Sequence, residues 1–115
     1  MIKISIIIPA FNPSKLILKC ISSIYNQSIN EKFYEIILVD DNSNNNFYKK
    51  NNKIINNKII YLKNNITKGP GISRNIGIKK SIGSHVLFLD SDDFLKENAL
   101  KKIIFSINKS KADII

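Results

Sequence analysis

The residues that stabilise many small proteins are scarce in this chain. It has one cysteine, Cys20, no tryptophan, four glycines and three prolines among 115 residues. A single cysteine excludes an internal disulfide framework and is typical of a reducing compartment. The composition as a whole excludes fibrous and disordered classes. We interpret Cys20 as a core thiol on a helix.

Long apolar runs are missing as well. No stretch approaches the roughly 18 apolar residues that span a bilayer. The apolar run of residues 1–9 contains Ser5, ends at Pro9 and is followed by no small-residue cleavage site, so it predicts a buried strand rather than a signal peptide. With 43% hydrophobic and 23% charged residues, the composition predicts one soluble globular domain over residues 1–115.

Acidic residues are few relative to basic ones. The chain has 9 acids against 18 lysines and arginines, which gives a net charge of +9. Such an excess is found in proteins that bind nucleic acid, phosphate-bearing substrates or anionic membranes. Lysines scattered along an Ile- and Asn-rich chain can also serve only to solvate the surface. The charge therefore leaves these classes open.

Apolar runs alternate with helical patterns along the chain. This order predicts an α/β fold with a mainly parallel sheet and flanking helices. We predict strands over residues 3–9, 34–39, 59–62 and 85–89. We predict one helix capped by Asn12 with Pro13 in its first turn, and others over residues 47–54, 72–81 and 97–108. Residues 112–115 resemble the start of a fifth strand, where we expect the domain to be truncated.

The few acids are concentrated at the ends of predicted strands. Five of the six aspartates form two clusters: Asp40 and Asp41, then Asp90, Asp92 and Asp93. In an open α/β sheet, the carboxyl edge of the strands holds the ligand. Carboxylates that meet at one edge repel one another unless a cation offsets them, and oxygen-rich clusters suit magnesium or manganese. The pattern predicts metal-assisted phosphate-ester chemistry.

Other phosphate-binding and metal-binding signatures do not match. The chain has no Gly-x-x-x-x-Gly-Lys-Ser/Thr loop, and the glycines at positions 69 and 71 do not form the dinucleotide fingerprint. It also has no His/Cys set for zinc. We interpret His85, the only histidine, as structural.

Five ordered segments together resemble the family 2 glycosyltransferases, which use nucleotide sugars and have the GT-A fold, a Rossmann-like architecture. The matching segments are residues 6–12 (IIIPAFN), 20–27 (CISSIYNQ), 35–43 (EIILVDDNS), 71–77 (GISRNIG) and 88–93 (FLDSDD). One Asp-x-Asp motif alone is weak, because it arises often by chance. Five segments in the family's order and spacing are specific and cover nearly the whole chain.

The resemblance implies roles for particular residues. It implies that the nucleotide is bound by Pro9, Ala10, Phe11, Asp41, Arg74 and Asp92. Within this set, Asp41 would accept a hydrogen bond from the base, most often uracil, and Arg74 would reach the base or diphosphate. It further implies that Asp93 is the main ligand of Mn²⁺ or Mg²⁺ and that Asp92 binds the ribose or the metal. Phe11 stands where the family often has tyrosine.

The resemblance also implies an activity. The donor would be a UDP-sugar and the acceptor a glycan or lipid-linked saccharide in bacterial polysaccharide biosynthesis, with inversion at the anomeric carbon. The family's catalytic base lies downstream of the metal motif, and neither Glu97 nor Asp113 is a good candidate. We therefore expect the base beyond residue 115 and no turnover by this chain alone. The implied location is the cytoplasm, with peripheral association at the inner face of the membrane left open.

Two other classes remain as alternatives. Residues 38–42 resemble the acidic pair of a phosphoryl-accepting receiver module, in which Asp90 would be the phospho-acceptor. Against this, a whole βα unit precedes the acidic pair and too little chain follows Asp90. A basic nucleic-acid-binding domain is the third class. It is disfavoured because interleaved aromatics and arginine clusters are missing and the acidic edge would repel phosphates, so we expect no nucleic-acid partner.

Overall fold

The computed structural model describes residues 1–55 and 58–115, in which strands and helices alternate. The strands are β1 (Ile4–Ala10), β2 (Tyr34–Asp40), β3 (Ile59–Lys63) and β4 (His85–Phe88). The helices are α1 (Leu16–Tyr25), α2 (Phe47–Asn51), α3 (Pro70–Lys80) and α4 (Ala99–Lys109), with one 3₁₀ turn at Glu31–Phe33. None of these helices has the length and apolar character that crossing a bilayer requires.

The strands form one parallel sheet in the order β3-β2-β1-β4. All seven residues of β1 are buried, as expected for a central strand covered on both faces. In the register, Ile6 lies between Ile36 and Leu87. The strand order reverses beside β1, because β2 and β4 flank it. That reversal places a ligand crevice at the carboxyl ends of these strands.

Helices cover both faces of the sheet. On one face, alternate residues of β1 pack with the apolar side of α1 and with Phe47 of α2 and Leu100 of α4. On the other face, Ile7 of β1 packs in a smaller cluster that includes Ile76 of α3. At Gly77 a Cβ atom would lie 2.5 Å from Cγ2 of Ile7, so α3 approaches the sheet this closely only because residue 77 is glycine. The predicted α/β fold, a mainly parallel sheet with flanking helices, is confirmed.

Helix starts were the least accurate part of the sequence prediction. The prediction that Asn12 caps α1 is wrong, because the helix begins at Leu16 and Asn12 lies in the left-handed region with a φ of 42°. Helix α3 begins two residues before the predicted start, at Pro70, because Gly69 turns the chain with a φ of 91°. Helix α4 begins at Ala99, after Asn98, whose φ is 63°.

Two further segments differ from the prediction. Residues 112–115 form no strand in the structure, so the prediction of a fifth strand is wrong. A strand requires ladder hydrogen bonds to a neighbour, and among the described residues the sheet ends at β4. The predicted helix over residues 47–54 is shorter, because α2 ends at Asn51. The Asn-rich residues 42–57 predict a loop around this short helix, and residues 56 and 57 of that segment lie outside the described part of the chain.

Candidate functional site

A cleft of about 580 Å³ opens at the carboxyl ends of β1 and β2, next to the start of α3. All the residues predicted to bind the nucleotide line it: Pro9, Ala10, Phe11, Asp41, Arg74 and Asp92. Asp93 does not line the cleft but lies beside Asp92. The topology explains this grouping, because the loops after β1, β2 and β4 leave the same edge of the sheet. Residues up to 83 positions apart in sequence therefore share one cavity.

Asp41 is held in the cleft wall by the protein itself. Its side chain is buried, with 3% of the residue exposed. Oδ1 accepts hydrogen bonds from the Asn64 side-chain amide and from the backbone N–H of Lys68, both at 2.8 Å. Oδ2 accepts one from the backbone N–H of Gly69 at 2.9 Å. The Asp41 N–H donates to the Ala10 carbonyl at 2.8 Å, so both the side chain and the backbone are fixed.

These contacts keep Asp41 ionised. Burial raises the pKa of the carboxyl, but hydrogen bonds from Asn64, from the N–H groups of Lys68 and Gly69, and from Ser73 outweigh burial, so the pKa lies below its usual value. Donors that stabilise the charged form of a carboxyl act in this direction. Asp41 is therefore an acceptor, and not a donor, at neutral pH.

The number of free acceptor positions on Asp41 is small. A carboxylate offers about four lone-pair positions. In the structure Oδ1 already receives two donors and Oδ2 receives one. The Ser73 hydroxyl also donates to this carboxyl, so the protein fills most of its acceptor positions. A ligand with one suitably placed N–H group matches this wall better than a ligand that needs both oxygens.

The residues that hold Asp41 were missed by the sequence prediction. Asn64 follows β3 and Ser73 lies in the first turn of α3, and both are buried. Gly69 supplies a donor from a backbone with a φ of 91°, which favours glycine. The only sequence signal was the Gly-Pro pair at the start of the helix, which marks a turn but does not say what the turn binds. Thr67 and Pro70 also line the cleft.

A second group of carboxylates lies on the loop after β4. One oxygen each from Asp90, Asp92 and Asp93 lies within 4.8 Å of the others, and all three residues are exposed. The loop is tight, since the Asp93 N–H donates to the Asp90 carbonyl at 3.0 Å. Oxygen donors from carboxylates are the ligands that Mg²⁺ and Mn²⁺ prefer, and exposure lets such an ion keep several waters. The residues present fit a divalent cation.

Arg74 connects α3 to this acidic loop. Its Nη2 donates to Oδ1 of Asp90 at 2.9 Å, and the two side chains are 34% and 51% exposed. This ion pair was missed by the sequence prediction, which gave Arg74 only a role toward the ligand. Because Arg74 and Asp90 both line the cleft, their ion pair lies in the same cavity as Asp41. A diphosphate placed there would meet the only arginine of the chain.

Cys20 lies beneath the acidic loop. Its Sγ is 3.5 Å from the Asp90 carbonyl oxygen, to which the thiol donates, and the residue is buried. Burial raises the pKa of the thiol to about 12, and the nearby carboxylates of Asp93, Asp92 and Asp90 add to this shift. A neutral buried thiol is a poor nucleophile. The prediction of a core cysteine is confirmed.

Asp40 does not join the other acids at the cleft, which corrects the expectation of five carboxylates at one site. It lies in a separate cavity near α2, where its Oδ1 accepts from the Ser43 N–H at 2.9 Å and its Oδ2 from the Tyr61 hydroxyl. Burial and this hydrogen bond raise the pKa of Tyr61. Successive side chains of a strand point to opposite faces, so neighbouring aspartates at the end of β2 have different surroundings.

Asparagines fix the mouth of the cleft. The Asn12 side chain accepts from the Asn44 N–H at 2.8 Å, and the Asn12 N–H donates to Ser43 Oγ at 2.9 Å. These bonds connect the loop after β1 to the loop after β2. Phe11, beside Asn12, is 54% exposed and lines the cleft, so it is not a core residue. Its ring is available to a ligand.

The remaining titratable candidates lie away from the cleft. His85 is at the amino end of β4, where its ring lies 3.1 Å from the Ser84 hydroxyl. Glu97 is exposed, and Asp113 lines a groove beside β4. Of the residues described, those lining the cleft include no acid that follows Asp93 in sequence.

Known sequences include relatives of this chain. The family model described as "Glycosyl transferase family 2" matches residues 5–115. The poly(ribitol-phosphate) beta-glucosyltransferase of Bacillus spizizenii is 37% identical over 115 residues, which is 97% of this chain and 18% of that protein. The poly(ribitol-phosphate) beta-N-acetylglucosaminyltransferase TarP of Staphylococcus aureus is 37% identical over 98% of this chain and 35% of its own length. The chain thus spans between about a fifth and a third of these relatives.

Solved structures of other proteins superimpose on this chain. Residues 1–349 of S. aureus TarS in complex with UDP-GlcNAc superimpose with a TM-score of 0.89 at 30% identity, over 97% of this chain and 33% of that chain. The mannosyltransferase PcManGT of Pyrobaculum calidifontis, in complex with GDP-Man and Mn²⁺, shares the fold with a TM-score of 0.81 at 18% identity, over 89% of this chain and 31% of that chain. The family match over nearly all residues, on a GT-A fold with its ligand cleft at the switch point of the sheet, shows that this chain belongs to the family 2 glycosyltransferases.

Proposed function

We propose that this chain forms the donor-binding part of a glycosyltransferase that uses a UDP-sugar and a divalent cation. The observation that carries the proposal is the single cleft that brings Asp41, Arg74 and Asp92 together. Different site residues would bind different parts of the donor. Phe11 and Asp41 would face the base, Arg74 the diphosphate, and Asp92 with Asp93 the ribose and the cation.

The hydrogen bonds of Asp41 support uracil as the base. The Asp41 carboxylate has little acceptor capacity left for a ligand, because four protein donors already contact it. Uracil presents one ring N–H, whereas guanine presents an N–H and an adjacent amino group that pair best with both oxygens of a carboxylate. The lowered pKa of Asp41 keeps this acceptor charged, and hydrogen bonds to charged groups are the stronger ones.

The acidic loop and Arg74 support loss of a nucleoside diphosphate. Breaking the bond from the anomeric carbon to the diphosphate leaves negative charge on the phosphate oxygens. Arg74 would bind those oxygens with its planar fork, and Asp92 and Asp93 would hold the cation. Bound there, Mn²⁺ or Mg²⁺ supplies Lewis-acid stabilisation of the leaving group. The acceptor hydroxyl would attack from the opposite face of the sugar, with inversion.

The charge of the chain supports an anionic polymer as the acceptor. The two relatives described above are named for poly(ribitol-phosphate), and TarS is crystallised with UDP-GlcNAc. Lysines give this chain a net charge of +9, which attracts both an anionic donor and a phosphate-bearing acceptor. We propose a hydroxyl-bearing glycan, lipid-linked saccharide or polyol-phosphate chain as the acceptor, and a cytoplasmic location.

We also propose that the 115-residue chain binds the donor without transferring the sugar. Inverting transfer requires a carboxylate base that accepts the proton of the attacking hydroxyl. Glu97 and Asp113 are the only acids after Asp93, and neither lines the cleft. Sugar transfer catalysed by this exact chain would contradict this part of the proposal.

The first experiment is a thermal unfolding series of the full chain with UDP, with MnCl₂, with both and with neither. We expect the largest increase in Tm with both ligands, since a ligand at 100 times its Kd stabilises the folded state by about 2.7 kcal/mol. Asp93→Ala should remove the manganese-dependent part of the increase.

Asp113→Ala is the matched control, because Asp113 is an exposed aspartate in a groove away from the cleft. It should respond to both ligands as the wild-type chain does. A well-folded wild-type chain whose Tm does not change with UDP and manganese would contradict the proposed function. An equal response of Asp93→Ala and Asp113→Ala would contradict only the role of Asp93.

A further inference from the structure

One buried amide lies between the two ligand-facing parts of the cleft wall. Asn64 is 6% exposed and follows β3. Its backbone N–H donates to the Asp40 carbonyl at 2.8 Å, which fixes it at the end of β2. Its side-chain Nδ2 donates to Asp41 Oδ1 at 2.8 Å and to Ser73 Oγ at 3.2 Å. Both side-chain contacts therefore use the two N–H bonds of a single amide.

The second of these contacts reaches α3. Ser73 is fully buried, and its backbone N–H donates to the Gly69 carbonyl at 3.1 Å. Arg74 is the next residue in the helix, so the position of its backbone depends on the position of this first turn. Through Asn64, the Asp41 carboxylate and the turn that carries Arg74 are thus connected by side-chain hydrogen bonds of 2.8 and 3.2 Å.

We propose that Asn64 is a positioning residue of the donor site: its side-chain amide holds the Asp41 carboxylate and the first turn of α3 in the arrangement that receives the nucleotide. Asn64 itself does not line the cleft, so it acts through Asp41 and Ser73 rather than on the ligand. The inference rests on the proposed function, because it assigns Asn64 to the binding of a uridine nucleotide.

An amide suits this position better than other polar groups. Both contacts require a donor, since Asp41 is a charged acceptor and Ser73 Oγ accepts from Nδ2. A carboxylate of the same shape would place a second negative charge beside Asp41. Two carboxylates in one place take up a shared proton at a higher pH than either does alone. A shared proton would restore one O–H donor toward Asp41.

The test is UDP binding by calorimetry in the presence of MnCl₂, with the wild-type chain, Asn64→Asp and Asn65→Asp compared at pH 8 and pH 5.5. Asn65 is the matched control, because it is the neighbouring residue and is exposed. We expect Asn64→Asp to weaken UDP binding about 10- to 100-fold at pH 8, the cost of a lost hydrogen bond to a charged group. At pH 5.5 the dissociation constant of Asn64→Asp for UDP should approach that of the wild-type chain. Asn65→Asp should bind as the wild-type chain does at both pH values.

Unchanged binding by Asn64→Asp at pH 8 would overturn the inference. So would an equal loss at both pH values, since that would indicate a purely structural role. If circular dichroism shows that Asn64→Asp does not fold, Ser73→Ala replaces it. That variant removes one anchor of the amide and should weaken UDP binding by roughly 3-fold or more, whereas wild-type affinity would overturn the inference.

A ligand-free measurement separates this inference from the proposed function. The pKa of the Asp41 carboxyl, followed by carbon-13 NMR, should be higher in Asn64→Ala than in the wild-type chain, because a donor to the charged form is removed. An unchanged pKa would overturn the positioning role. If the wild-type chain binds no UDP, the proposed function fails, and this titration still decides whether Asn64 holds the Asp41 carboxylate.

Discussion

The cleft contains two acidic regions that the protein treats in opposite ways. Asp41 is buried and receives three hydrogen bonds from the loop after β3 and a further one from Ser73 at the start of α3. Asp90, Asp92 and Asp93 are exposed, and their described ion pair is the bond between Asp90 and Arg74. The first region is complete before any ligand arrives. In the second region the negative charge is concentrated, and few protein groups nearby donate hydrogen bonds to it.

This difference indicates different tasks. A carboxylate fixed by backbone N–H groups costs no reorganisation when a ligand N–H meets it, which suits recognition of a base. Exposed carboxylates on a tight loop keep their solvation and can exchange waters for a cation. The sequence shows both as clusters of aspartate. Only their surroundings distinguish the proposed recognition group from the proposed metal-binding group.

The largest difference between the two regions should appear in stability. Asp41→Asn replaces one carboxylate oxygen by an amide nitrogen, which places a donor against the N–H group of either Lys68 or Gly69. We expect a loss of about 3 kcal/mol in the free energy of unfolding, because buried donors are left without a partner. Asp92→Asn, made in the absence of metal, should change it by less than about 0.5 kcal/mol, since Asp92 is exposed.

Urea unfolding of the two variants and the wild-type chain measures this contrast. The comparison would fail if Asp92→Asn destabilised the chain as much as Asp41→Asn does. It would also fail if Asp41→Asn had wild-type stability, since the three hydrogen bonds would then contribute nothing.

A smaller effect should follow pH. The pKa of Asp41 is lower in the folded chain than in the unfolded chain, so its stabilisation is complete above the unfolded pKa of about 3.9 and is lost as the pH falls through the folded value. The stability difference between wild type and Asp41→Asn should therefore shrink below about pH 4. Urea unfolding at several acid pH values measures it, with Asp113→Asn correcting for the loss of one carboxylate. A difference that grows toward acid pH would contradict the assigned sign.

The smallest effect should come from the contact that connects the two regions. The ion pair of Arg74 and Asp90 is a third to a half exposed, and pairs of this kind contribute less than about 1 kcal/mol. Asp90→Asn should lower stability by no more than that, and high salt should reduce the difference further. Unfolding at low and high salt measures both quantities. A loss above about 2 kcal/mol that persists in high salt would show that this pair is not screened by solvent.

Much of the fold was determined by local sequence pattern. Short apolar runs such as the one ending at Pro9 predict buried strands, and their alternation with helical stretches predicts a parallel sheet. All four predicted strands are present within one or two residues of the predicted bounds. Helix starts were less accurate because asparagines such as Asn12 and Asn98 adopt left-handed backbone conformations. Asparagine tolerates that region and also caps helices, so its identity alone does not separate the two roles.

The sequence by itself also predicted that residues such as Asp41, Arg74 and Asp92 share one cleft, because motifs at strand ends meet at one edge of a parallel sheet. Only the tertiary structure decided what each acid does there. Asp40 and Asp41 are adjacent in sequence, yet one accepts from Tyr61 and the other from Asn64. Asn64 gave no signal of its own, since its partners lie 9 and 23 residues away. A side chain's hydrogen-bond partners depend on which loops pack beside it, and that is fixed only when the sheet and its helices have assembled.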